Sequence, residues 1–304
     1  MSADPCTFWL AVDVGNSRIK VGLFNVLKER NDDLKAVVPG SQVTSSGELP
    51  KSVGFYSISL KSSVDWDAIF ESHDRTLKFH SVIAGSNQRG VDRVVAEWPK
   101  WLAKPVVLRS SESLKLDIQV DEPQRVGLDR LLNAVAANVI REVGVPAIIV
   151  DCGTATTVDL VSSSGSFCGG AILPGFTLCA RALNQYTEVL PLISMTELFD
   201  LPPSEDCHPA LGSNTQAAIM SGVFWGQIGA VRELIARLSQ QQSAGCKQLS
   251  DHQQPLTVSH SPRRKLLLTG GGARLLAPYF ADAIHYPFLP LQGLVSAAAS
   301  QQSS

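Results

Sequence analysis

The chain has 304 residues, of which 44% are hydrophobic and 18% charged, with 26 basic and 28 acidic side chains giving a formal net charge of -2. This is the composition of a globular protein large enough for two cores, and it excludes a collagenous or low-complexity chain. Near-neutral charge without a basic arm argues against a nucleic-acid partner, since Arg263-Arg264-Lys265 is the densest basic run and makes a poor phosphate footprint.

No stretch of 18 apolar residues occurs, and Met1 to Cys6 has no signal-peptide pattern, so neither a leader nor a membrane span is expected. The six cysteines, Cys6, Cys152, Cys168, Cys179, Cys207 and Cys246, form no CxxC pair. Free thiols in a reducing compartment are the expectation.

In chain order, Phe8 to Val14 reads as a buried strand and Arg18 to Phe24 as a second, joined by the turn Gly15-Asn16-Ser17 into a hairpin. Residues 25 to 79 carry turn signals at Pro39-Gly40-Ser41 and Ser45-Ser46-Gly47 and a helix start near Val64. Phe79 to Ala84 and Val106 to Leu108 read as strands, with a short helix at Val91 to Leu102 between them. After Gly127-Leu128-Asp129-Arg130, the spacing of Leu132, Val135, Ala136, Val139, Ile140 and Val143 predicts an amphipathic helix, stopped by Gly144 and Pro146.

A second hairpin follows: strand Ala147 to Val150, turn Asp151-Cys152-Gly153-Thr154-Ala155, and a return strand to Val161. Asp13 and Asp151 hold the same place in the two hairpins, which points to an internal duplication. Gly169 to Gly175 reads as a rigid glycine-rich connection, and Gly212 to Leu238 as a long helix capped by Asn214 or Ser213. Residues 239–264 read as a surface insertion, Lys265 to Thr269 as a strand, Gly270-Gly271-Gly272 as a turn into a helix, and Ala297 to Ser304 as a fraying end. Strands alternating with helices indicate an α/β protein with mixed sheets, in two parts, 7–122 and 123–300.

The hairpin turns carry the chemistry. A glycine turn lets backbone N–H groups approach phosphate oxygens; Gly15, Asn16, Ser17, Arg18 and Lys20 supply donors in the first hairpin, and Thr154 in the second. Asp13 and Asp151 suit a hard cation that retains waters, although each carboxylate also suits a structural turn. Gly127 to Arg130 opens a helix, where unpaired N–H groups attract anions. There Arg130 can grip a carboxylate or phosphate, and Asp129 can accept a proton from an attacking hydroxyl; an N-cap aspartate and a surface arginine are the plainer alternative. Gly271 and its neighbours suit close contact with an adenosine. No GxxxxGK[ST] or GxGxxG loop occurs.

Together DVGNSRIK (13–20), GLDRLLNAVAA (127–137), DCGTATTVD (151–159), GGAILPG (169–175) and LGSNTQAAIMSG (211–222) resemble the type III pantothenate kinases. The resemblance implies duplicated actin-like/ribonuclease H-like domains with an active-site cleft between them. It implies ATP phosphates on Asp13 to Lys20 and at Thr154, Mg²⁺ with the nucleotide, and a monovalent cation, K⁺ or NH₄⁺, at Asp151. Pantothenate would meet Gly127, Leu128, Asp129, Arg130 and Thr215, with Asp129 as the base. A cytoplasmic homodimer is implied as well. The chain departs from the family at Val120, where members often carry a tyrosine lining the pantothenate pocket, and at Ile83-Ala84-Gly85-Ser86, where a valine-proline is usual. A kinase for another small alcohol and a non-catalytic ATP-binding regulator are the rival readings.

Overall fold

The computed structural model describes residues 7–26, 47–71, 73, 77–194, 199, 208–241 and 263–302. Its strands form two five-stranded sheets. The first contains β1 (Thr7–Val14), β2 (Arg18–Val26), β3 (Lys51–Ser59), β4 (Phe79–Ala84) and β5 (Val106–Val107), in the order β3-β2-β1-β4-β5. The second contains β6 (Ala147–Cys152), β7 (Ala155–Val161), β8 (Phe167–Pro174), β9 (Lys265–Thr269) and β10 (Ala283–His285), in the order β10-β9-β6-β7-β8. Read from the other edge, the second order repeats the first. The pairing repeats too: in each sheet the first three strands are antiparallel neighbours and the last two join in parallel. The duplication expected from two glycine hairpins is therefore carried through whole sheets.

The chain divides into two compact units: Met1–Leu116, Asp121–Val143 and Phe288–Ser304 form the first, and Asp117–Val120 and Gly144–Pro287 the second. The sequence-derived boundary at 122/123 differs from this division. Helix α3 (Leu128–Ile140) follows α1 (Trp66–Ile69) and α2 (Gln88–Ala96) in the first unit. The chain's end also returns there as α7 (Leu289–Gln302). Packing decides this, since α3 lies against α7, and α7 against β1, β2 and β4.

In the first unit, Leu10, Val12, Ile19, Val21 and Ile83 pack with Trp66, Phe70, Phe79, Val91 and Val94. The alternate residues Trp9, Ala11 and Asp13 are also buried, which explains why β1 is apolar without a period of two. Ala11 pairs with Gly22, and a Cβ at position 22 would already crowd Leu291 of α7. The predicted fraying of Ala297 to Ser304 is corrected: α7 runs to Gln302, and Ala297 and Ala298 are buried. Its end is tied down by Gln301 to the Ser113 carbonyl and Gln302 to the His80 ring.

In the second unit, Ile148, Val150, Val158, Leu160, Leu266 and Leu268 pack against Phe176 of α4 (Phe176–Gln185) and Phe224, Ile228 and Val231 of α5 (Thr215–Gln241). The Asn214 side chain accepts from Ala217 N–H at 2.9 Å, so the predicted cap holds. Helix α5 runs to Gln241, so the predicted insertion at 239–264 begins inside a helix. Its residues 242–262 lie outside the described residues, as do the turns at 39–41 and 45–46. The supposed connection at 169–175 runs as strand β8 to Pro174, with Gly175 capping α4, and Arg264 meets Asp282 at 3.1 Å. A short helix α6 (Ala273–Leu276) follows the Gly270–Gly272 turn. Cys152 and Cys179 are free thiols, whereas Cys168 is disulfide-bonded; spacing alone does not reveal which cysteines meet in space.

Candidate active site

The first hairpin closes tightly. Gly15 N–H donates to the Arg18 carbonyl at 3.0 Å, and Leu60 N–H to that of Ser17. Asn16, Ser17 and Arg18 are exposed at its tip, and Arg18 reaches Ser57 on β3 at 3.3 Å. Asp13 lies one step down the strand and is 2% exposed. The antiparallel register sets Lys20 opposite Asp13, and their charges meet at 3.5 Å. Register thus sets the Lys20 ammonium against the buried carboxylate, behind the exposed tip.

The segment Gly127 to Arg130 opens α3. Gly127 is the N-cap, and Asp129 sits in the first turn. The Asp129 carboxylate folds back along the helix start, accepting from Arg130 N–H at 3.0 Å. A Cβ on Gly127 would lie 2.5 Å from Asp129 Oδ1, so glycine at 127 makes room for this carboxylate. Leu128 is buried and anchors the turn, while Gly127, Asp129 and Arg130 are half-buried. A half-buried carboxylate at a helix N-terminus can accept a hydrogen bond from a hydroxyl brought against it.

In the second unit, Gly153 N–H donates to the Ala155 carbonyl at 2.9 Å, shaping the hairpin tip, and Gly175 N–H donates to the Thr154 carbonyl at 3.1 Å. From the other side Gly272 N–H donates to the Cys152 carbonyl at 2.9 Å. Gly270 has a φ of 87°, a left-handed conformation that glycine takes without strain. A Cβ there would lie 2.5 Å from Asp151 Oδ1 and 2.6 Å from the Cys152 carbonyl oxygen. Three glycine turns, at 153, 175 and 270–272, therefore meet around Asp151 and the exposed Thr154. Gly271 is exposed at the crest of its turn. Gly270 and Gly175 belong to the two glycine runs read from sequence, but their closeness to Asp151 and Thr154 is visible only in the fold.

The Cys152 thiol is pushed up to about 12, by burial first and by the Asp151 charge second, against a lowering hydrogen bond from Thr156. It remains protonated and is no nucleophile. One carboxylate with backbone carbonyls beside it is a donor set that suits K⁺, NH₄⁺ or a water-retaining Mg²⁺. Asp151 thus fits the cation the resemblance assigns to it. Among the described residues no group of three His, Cys, Asp or Glu side chains forms a metal-binding cluster.

Val120 belongs to the second unit. A Cβ built on Gly169 would lie 3.3 Å from Val120 Cγ1. This is where β8 starts, beside the bridge between Ile118 and Phe167. Thr215 is the exposed first residue of α5.

The repeated strand order, with a glycine hairpin and carboxylate in each copy, defines a duplicated α/β fold of two mixed sheets. A family profile described as "Type III pantothenate kinase" matches residues 9–237, and the chain belongs to that family. It is 38% identical over 202 residues to a type III pantothenate kinase of Gluconobacter oxydans, covering 64% of this chain and 62% of that one. It is also 38% identical over 196 residues to one from Dehalococcoides mccartyi strain CBDB1, covering 63% and 62%. Each alignment spans less than two thirds of the relative's length. Among solved structures, a Campylobacter jejuni protein described as a "Baf family transcriptional activator" superposes with a TM-score of 0.53 at 17% identity, covering 97% of this chain and all of that one. At that identity the likeness speaks for fold alone.

Proposed function

We propose that the protein transfers the γ-phosphate of ATP to the primary hydroxyl of pantothenate, the first step of coenzyme A synthesis. The observation that carries this reading is the extent of the family match. Residues 9–237 take in both hairpins, the Gly127–Arg130 helix start and Thr215.

The turn at 15–18, with Lys20 behind it, offers N–H groups and positive charge to the phosphates. Thr154 adds a hydroxyl from the second hairpin, and Gly271 an open backbone for the adenosine. Mg²⁺ at Asp13 and a monovalent cation at Asp151 would supply charge neutralisation when bound. Asp129 orients the pantothenate hydroxyl and takes its proton late in transfer. Positioning and electrostatics dominate phosphoryl transfer. Gly127, Leu128 and Arg130 in the first unit, and Thr215 in the second, are the further proposed pantothenate contacts, with Val120 at the place where an aromatic ring is usual.

A homodimer is part of the same reading, and Ile172, Tyr186, Val189, Leu192 and Leu211 of the second unit, 61–87% exposed, are apolar side chains that such a partner could cover. No helix among the described residues is long and apolar enough to cross a membrane, and under this reading the enzyme works in the cytoplasm.

A coupled assay with ATP, Mg²⁺, K⁺ and pantothenate, with product mass checked, tests the proposal. Phosphopantothenate is the expected product. ADP release only with another alcohol would reassign the acceptor. ATP binding without transfer to any alcohol would make the protein a nucleotide-binding regulator.

A further inference from the structure

The second hairpin is held by backbone bonds at its tip, and one buried side chain braces its base. Gln227, on α5, is 4% exposed, and Thr156, on β7, is fully buried. The Thr156 hydroxyl donates to Gln227 Oε1 at 3.0 Å. Gln227 Nε2 donates to the Pro174 carbonyl at 2.6 Å and lies 3.7 Å from Cys179 Sγ. The Pro174 carbonyl can only accept, so the amide's nitrogen must face it, and its oxygen is thereby turned to the threonine.

These partners sit next to the site. Thr156 follows directly on the turn that presents Thr154, and it pairs with Cys152 on one side and Leu173 on the other. Pro174 precedes Gly175, whose N–H holds the Thr154 carbonyl. One carboxamide therefore ties α5 both to the strand leaving the hairpin and to the neighbouring strand that supports its tip. The same helix begins at Thr215. A loose amide here would let the tip of the hairpin drift, and errors of about 1 Å in a supporting shell are enough to spoil a site.

We propose that Gln227 is a positioning residue for the phosphate end of the nucleotide site, acting through Thr156 and Pro174 rather than by touching substrate. The assignment rests on the proposed kinase reading for its kinetic consequence, and on the fold alone for its effect on the hairpin.

Two variants of the full chain test it. Gln227→Met fills similar volume without hydrogen bonds. Gln227→Glu keeps an acceptor for Thr156 but sets a carboxylate against the Pro174 carbonyl until it is protonated. In Gln227→Met, KM for ATP rises about tenfold while KM for pantothenate moves less than about twofold. Amide exchange at Gly153 and Gly175 speeds by about tenfold, with the β9 amides unmoved. Gln227→Glu behaves likewise at about pH 8 and recovers towards wild type at about pH 6, because burial raises a carboxyl pKa and the protonated acid donates again. Wild-type exchange at Gly153 and Gly175 in both variants would overturn the assignment. So would equal acceleration throughout the second unit, which marks plain destabilisation. If the wild-type chain makes no phosphopantothenate, the functional reading fails, and amide exchange still decides the role of Gln227.

Discussion

The two hairpins share a strand order and a carboxylate position but treat that carboxylate differently. In the first, register sets Lys20 opposite Asp13, and the ammonium neutralises a charge that is almost wholly buried. In the second, the residue opposite Asp151 is Thr157, whose hydroxyl turns instead to Asp159 at 3.0 Å. The first copy thus carries its own cation on the neighbouring strand. The second has a neutral residue in that register and a half-buried carboxylate beside a glycine turn. Duplicated halves can diverge in this way by one residue in the register without any change in the sheet.

The strongest way to break the comparison is to separate the transfer chemistry from nucleotide binding. Asp129→Asn, in the first unit, is expected to lower kcat by about 10²–10⁴ with ATP affinity kept; parallel loss of ATP binding by calorimetry would move Asp129 out of the acceptor role. The glycines give the next contrast. Gly270→Ala meets both a left-handed backbone and a clash with Asp151 and the Cys152 carbonyl, and should cost about 2–4 kcal/mol in denaturant unfolding. Gly127→Ala meets only the end of the Asp129 side chain at an ordinary φ of −58°. It should cost under about 1 kcal/mol of stability yet lower kcat about tenfold by displacing the carboxylate.

Thr157→Lys sharpens the hairpin contrast most directly. It copies the Lys20 arrangement into the second unit, and the expected result is turnover that no longer depends on K⁺ or NH₄⁺. Retained activation by either ion would count against a cation at Asp151. The smallest effect concerns acid. Burial lowers the pKa of His208, which packs against Phe224 at 4.0 Å between ring centroids. A lowered folded pKa means the unfolded chain binds the extra proton first, so stability falls as pH drops through the ordinary histidine range near 6.5. His208→Phe should flatten that decline in thermal melts between about pH 7.5 and pH 5.5.

The hairpins, α3, the Asn214 cap and β9 were legible because each joins a strong apolar period or run to a glycine, asparagine or proline stop. Strand β3 was not, since its burial alternates only weakly between half-buried and exposed. Its Ser, Lys and Gly residues carry little strand preference of their own. The glycines of β8 read as a connection, although the strand pairs along β7 from Phe167 to Pro174. The candidate site was legible where charge and glycine coincide, at Asp13, Asp129 and Asp151. It was illegible where a neutral side chain acts at a distance in sequence. Nothing local marks Gln227 in an apolar helix as the partner of Thr156, 71 residues earlier. Likewise Lys20 gains its meaning from cross-strand register, not from its distance to the turn.

The return of α7 to the first unit has a consequence for biogenesis. Leu289, Leu291, Leu294 and Val295 fill space beside β1 and α3, yet they leave the ribosome after every strand of both sheets. The second unit can close before that helix has emerged, whereas the earlier-synthesised unit must wait with an open flank until residues 289–302 follow. A nascent chain halted before position 289 should accordingly protect the later half from protease and leave the earlier half cleavable.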